Sequence, residues 1–192
     1  MEWANDNKSV FYTQQDPKTL RSNKIFKHIL GTNPNQDQLI FEEKDETFSC
    51  GIYKTKSQKF LMISSSSTLT DEVRYISADN PSQTPILFQE RTRGLEYKVY
   101  HFQDKFFIQT NLAANNFCLM ECAANSTNKE NWKMVIPNRA DTLIEYIEIF
   151  ENHLLVCERS KGLMNFRIIN SLTKSEHYIE FPEALPLIHM QD

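Results

Sequence analysis

One ten-residue pattern occurs three times in this chain at almost constant spacing. Residues 39–48 (Leu-Ile-Phe-Glu-Glu-Lys-Asp-Glu-Thr-Phe) align with residues 86–95 at a shift of 47, and those align with residues 134–143 at a shift of 48. A second element recurs in phase with it: residues 59–63 match 105–109, and those match 153–157. A repeat of roughly 40–50 residues restricts the fold more than any single motif. Each copy is one supersecondary unit that can bury its apolar surface only against its neighbours.

Within each period the chain reads as short strands. Residues 24–30, 48–54, 59–64, 72–77, 95–101, 105–110, 143–150, 153–159 and 164–170 are rich in Phe, Tyr, Ile and Val. Clusters of Asn, Asp, Ser, Thr and Pro separate them, as strand boundaries require. No segment carries a clean helical stripe over three turns; residues 142–151 come nearest to one and fit it poorly. Four short strands per period is the pattern of a β-propeller blade, a four-stranded antiparallel sheet that buries both faces by stacking around an axis. The fold class is therefore all-β, an incomplete propeller of about four blades. The blades fall at residues 1–44, 45–91, 92–139 and 140–182, followed by a tail at 183–192, all in a single partial domain. The first is truncated, with three strands and a stub of a fourth at residues 1–3. Closed propellers typically have about four to eight full blades, and residues 181–186 look like a linker. The expectation is the middle of a larger propeller.

Composition removes several function classes. The chain has 192 residues but only four glycines, Gly31, Gly51, Gly94 and Gly162, all isolated, where an average domain carries about 7 %. No G-x-G-x-x-G, P-loop or G-x-S-x-G nucleophile elbow can be formed, so no dinucleotide, phosphate-cradle or hydrolase-elbow chemistry resides here. A net charge of −4 argues against nucleic acid as a partner. No run of 18 apolar residues points to a membrane, and residues 1–6 lack the character of a signal peptide. The expectation is a soluble, cytoplasmic chain.

Candidate chemistry is sparse. Cys118 and Cys122 share one strand face with Met120, but zinc would need two more ligands at matching spacing. We read them as small hydrophobes on an apolar strand face, with no metal and no cofactor; Cys50 and Cys157 complete the four cysteines. His28, His101 and His177 sit in strand patterns, and His153 and His189 complete the set. The serine run 64–67 reads as a solvated loop between strands. With no oxyanion-hole glycine nearby, no catalytic residue is assigned. Glu42, Glu43, Asp45, Glu46, Glu145 and Glu148 form carboxylate pairs of the kind that propeller glycosidases use. Beside Lys44, Arg91, Arg93 and Arg139 they read mainly as solvated, charge-balanced loops. The loops entering each innermost strand, residues 44–47, 91–94 and 139–142, are equivalent between blades. Glu46, Arg93 and Asp141 on them are the candidates for a channel mouth or a domain-docking surface.

The residues also carry a family resemblance. Glu2-Trp3-Ala4-Asn5-Asp6 with Val10-Phe11-Tyr12 resembles the propeller of the oligopeptidase B (protease II) branch of the prolyl oligopeptidase family of serine peptidases. So do His28-x-Leu30-Gly31-Thr32, residues 42–48, residues 54–57, Ser67-Thr68 with Glu72-Val73-Arg74, and Asn115-Asn116-Phe117. Ile136-Pro137-x-Arg139-x-Asp141 and Glu158-Arg159-x-x-Gly162-Leu163 complete the set, which runs in family order along nearly the whole chain. The resemblance implies a parent with a seven-bladed propeller joined to an α/β-hydrolase catalytic domain, its partner in the same enzyme. It implies cleavage of short basic peptides after Arg or Lys, with the propeller gating access and inactive alone. A free-standing propeller scaffold for protein–protein interaction is the alternative, although Gly-His and Trp-Asp dipeptides are missing at blade period. A small propeller glycosidase or lyase is a third. Open blade faces and an exposed inner edge further predict self-association.

Overall fold

The structure, a computed structural model, describes residues 1–180. The proposed tail at 183–192, the linker at 181–186 and His189 lie outside the described residues. Strands consecutive in the chain make four four-stranded sheets. The first contains β1 (Glu2–Trp3), β2 (Ser9–Gln15), β3 (Ser22–Ile29) and β4 (Gln38–Glu42). The second contains β5 (Ser49–Lys54), β6 (Phe60–Ser66), β7 (Asp71–Ser77) and β8 (Ile86–Gln89). The third contains β9 (Tyr97–Phe102), β10 (Lys105–Thr110), β11 (Cys118–Ala123) and β12 (Lys133–Ile136). The fourth contains β13 (Thr142–Ile149), β14 (His153–Ser160), β15 (Leu163–Asn170) and β16 (Glu176–Tyr178). The stub at residues 1–3 is β1, pairing Glu2 with Phe11 and Trp3 with Val10. Of residues 142–151, Thr142–Ile149 form β13, with a bulge between Ile144 and Tyr146. The segment is a strand, in keeping with its poor helical fit, and the bulge shifts its pleat locally.

By its contacts the described chain divides into two compact units. One holds Met1–Ile108 and Glu121–Lys133; the other holds Gln109–Met120 and the chain from Met134 onward. In the first unit, Phe11 and Ile25 of the first sheet pack with Cys50, Leu61, Ile63 and Ile76 of the second. Each such fully buried side chain contributes about 1.5–3 kcal/mol of transfer free energy. On its other face the second sheet turns aromatic. Phe60, Tyr75 and Phe88 meet Tyr97, His101, Phe106 and Trp132, with Phe88 edge-on to Phe106 at 5.1 Å between centroids. A strand covered on both faces has no reason to alternate polar and apolar residues, and Leu61, Met62 and Ile63 are all buried.

In the second unit, β14 is likewise buried on both faces from Leu154 to Glu158. Leu155, Cys157 and Phe166 form an apolar cluster with Tyr146, Met164 and Ile168. The β14–β15 turn has positive φ at Lys161 (51°) and Gly162 (81°), matching a two-residue hairpin turn that follows the strand twist.

One expectation needs correcting here. Ser64, Ser65 and Ser66 are the last three residues of β6 rather than a solvated loop. Ser65 pairs with Cys50 and with Glu72 in register and is only 1 % exposed. Its hydroxyl survives burial because a carboxylate accepts it.

Candidate functional site on the connections between sheets

That carboxylate is Glu43, on the connection from β4 to β5. Read as a solvated loop residue, it is instead buried. It accepts a short hydrogen bond from Ser65 Oγ and another from the backbone N–H of Asp45 at 2.9 Å. Arg91, on the connection from β8 to β9, donates through Nη2 to Glu43 Oε2 at 2.6 Å and to Ser65 Oγ at 3.3 Å. The same guanidinium lies 3.7 Å from Asp45 and from Glu72. It also stacks over the Phe48 ring at 3.6 Å from the centroid, a cation–π contact. Glu72 accepts from the Arg91 backbone N–H at 3.2 Å and pairs with Arg74. One cation thus serves three acids. Burial alone would raise the Glu43 pKa, but the Ser65 and Arg91 hydrogen bonds outweigh it and hold the carboxyl below its ordinary value. Arg21 fixes the backbone of this connection, donating to the carbonyls of Glu43, Asp45 and Phe48.

The second unit inverts the arrangement. Glu158 on β14, 1 % exposed, receives Arg167 Nη2 at 2.7 Å from Oε1 and a close contact from Arg139 on the β12–β13 connection. The Tyr178 hydroxyl donates to Glu158 at 2.9 Å and accepts from Arg139 at 3.2 Å. Here one acid serves two cations. Asn116 holds the connection itself, donating to the carbonyls of Arg139 and Ala140.

The three sequence candidates sit on these connections. Glu46 is exposed between β4 and β5, Arg93 is exposed between β8 and β9, and Asp141 is exposed just before β13. Arg93 lines an open depression of about 360 Å³ with Thr47, Phe48, Ser67, Thr70 and Arg91. Asp141 accepts from the Thr142 hydroxyl at 3.1 Å.

Three histidines make polar pairs that share no residue, one of them His153 Nε2 with Asn170 Nδ2 at 3.2 Å. His28 Nδ1 lies 2.7 Å from Asp37, which also accepts from Tyr12. His101 Nδ1 lies 2.8 Å from Ser57 Oγ. Burial, then Lys59, pushes the His101 pKa down to about 4 against an opposing pull from Asp104. All four cysteines are free and buried. Cys118 and Cys122 have pKa values raised by burial, so neither favours the thiolate that metals need.

The sequence placed Glu43 and Asp45 beside Arg91 as solvated charge, but missed the burial of Glu43 and the roles of Glu72 and Glu158. For Glu158 the signal was present. Leu154, Val156 and Glu158 alternate on β14, and a carboxylate in an apolar row needs a buried partner.

Comparison with known proteins accounts for the repeat. The sequence profile of the prolyl oligopeptidase N-terminal β-propeller domain matches residues 1–190. Dipeptidyl aminopeptidase BI of Pseudoxanthomonas mexicana is 35 % identical over 95 % of this chain and 25 % of its own length. Protease 2 of Moraxella lacunata is 35 % identical over 88 % of the chain and 24 % of its own. The chain spans about a quarter of the length of these curated relatives. Oligopeptidase B from Leishmania major superposes with a TM-score of 0.85 at 26 % identity, covering 94 % of this chain and 27 % of that one. Oligopeptidase B from Trypanosoma brucei, solved in a closed form with covalently bound antipain, shares the fold with a TM-score of 0.84 at 21 % identity, covering 95 % and 28 %. Among the described residues no helix is long and apolar enough to cross a membrane. The repeat, the four sheets and the match along the chain agree: this chain belongs to the prolyl oligopeptidase family and matches its N-terminal β-propeller domain.

Proposed function

We propose that this propeller serves a serine peptidase of the oligopeptidase B type. In that enzyme it covers the active site of an α/β-hydrolase domain and admits short peptides, which are cut after Arg or Lys. The observation that carries the reading is the family match over residues 1–190, together with 35 % identity to a protein named Protease 2. Both relatives are about four times the length matched, which leaves room for a catalytic domain.

In this reading the propeller supplies no catalytic group. Its contribution is steric exclusion and charge. Glu46, Arg93 and Asp141 present exposed charge of both signs beside the rigid Arg91 and Glu158 clusters, and would dock the hydrolase domain or steer basic peptides. The open faces of the sheets would drive self-association of the isolated chain, visible by light scattering at high concentration. A strictly monomeric chain would remove that part. The reading as a whole is tested at the coding sequence. The flanking reading frame should encode an α/β-hydrolase with a G-x-S-x-G motif. A frame without one favours the free-standing scaffold instead.

A further inference from the structure

Strand β3 places Lys27 where an apolar residue belongs. Ile25 and Lys27 are two apart and share a face. Ile25 is fully buried in the core between the first and second sheets, and Lys27 beside it is only 7 % exposed. Its ammonium reaches the Pro81 carbonyl at 3.3 Å, on the loop between β7 and β8. An ammonium has three donors, and Pro81 takes one.

The other buried charged side chains form a contrast. Glu43 pairs with Arg91, Glu72 with Arg74 and Arg91, and Glu158 with Arg139 and Arg167. Among the described residues, Lys27 alone in that group has no opposite charge within 4.0 Å. A buried charge is costly unless paired. Snorkelling along the core explains why the stem is buried, but leaves the ammonium facing an open depression of about 230 Å³.

The rest of that depression carries no charge: Leu39 and Ile40 line part of it, and the remainder is mostly polar. Gln38, Ser82, Gln83 and Thr84 contribute amides and hydroxyls, and Pro81 and Pro85 stiffen the loop. Gln83 is oriented because its side-chain oxygen accepts from the Ser77 N–H at 3.3 Å, which leaves its amide donors for other use. One fixed positive charge among neutral donors balances one negative charge. A divalent phosphate would keep an excess.

We propose that Lys27 and the 81–85 loop form a binding site for a carboxylate group. The source is a free small acid or the acidic side chain of a peptide. The proposal does not rest on the peptidase reading, since the site uses only residues of the first two sheets.

The test uses the 192-residue chain, titrated at pH 7 and constant ionic strength with sodium acetate, inorganic phosphate and chloride, and followed by amide NMR. Acetate should give saturable shifts at Gln38 and at 82–84, with phosphate at least tenfold weaker. Lys27→Met, which keeps the stem over the core, should weaken acetate at least tenfold; Lys27→Gln provides a second folded comparison. Competition by an Asp-containing peptide but not its Asn counterpart assigns the source to peptides. Acetate displaced by neither assigns it to free acids. Non-saturable shifts, shifts unchanged by both substitutions, or phosphate binding as tightly as acetate would overturn the proposal.

Discussion

The two charged clusters solve one problem in opposite ways. Around Arg91, three acids share a cation whose side chain is 26 % exposed, and the Phe48 ring supports its face. Around Glu158, two arginines share an acid that is 1 % exposed. Each cluster depends on its shared centre. The centre of the first retains contact with water, and the centre of the second does not. When the first centre is lost, Glu43 keeps Ser65 and Glu72 keeps Arg74; when the second is lost, two cations face each other with only Glu176 beside Arg167, so the damage should differ.

The largest effect should come from Glu158→Ala. It leaves Arg139 and Arg167 facing each other with only Glu176, 3.2 Å from Arg167, to balance them, and breaking a buried pair costs about 3–5 kcal/mol. Urea denaturation reads this directly. Arg91→Ala should cost less, about 1–3 kcal/mol, because Glu43 keeps the Ser65 hydroxyl and the Asp45 N–H and solvent reaches the gap. Equal losses for the two variants would break the comparison.

Acid sharpens it further. Glu43 has a lowered pKa in the folded chain, so the stability it contributes is present above the ordinary glutamate value of 4.5. That contribution is lost as pH falls through the lowered folded value, and Arg91→Ala should shrink it. His101 acts at milder pH. Its folded pKa is about 4 against about 6.5 unfolded, so the unfolded chain takes the proton first. Stability should hold above pH 6.5 and decline from there to about 4. His101 is the buried histidine among the described residues and belongs to the first unit. Amide exchange, corrected for intrinsic rates, should therefore loosen the first unit before the second over that range. His101→Phe should flatten the decline.

The smallest effect on stability, within about 0.5 kcal/mol, should come from Arg93→Glu, because Arg93 is exposed. Its readout lies in function. In an enzyme joining this propeller to a hydrolase domain, as proposed, the reversal should change the salt dependence of kcat/KM. An unchanged dependence would remove Arg93 from the docking surface.

The sheets were largely legible because the repeat and the strand pattern report the same periodicity. Even the two-residue β1 was visible as a stub. The clusters were less legible because their partners are far apart in sequence. Glu43, Ser65, Glu72 and Arg91 come from four separate segments, and locally each looks like an ordinary loop or surface residue. Ser65 shows why: small polar residues mark turns on average, yet here a buried carboxylate takes the hydroxyl and lets the strand continue. The Arg91 and Arg139 positions were visible as equivalents in the repeat. What they bind differs, since the repeat conserves the cation and places the acid elsewhere.

The central claim is that this propeller filters substrates for a catalytic domain and does no chemistry itself. Turnover of an Arg-containing fluorogenic peptide by the purified 192-residue chain tests it most directly. The account predicts no turnover above buffer. Cleavage after Arg that survives repurification and follows the chain through it would contradict the account.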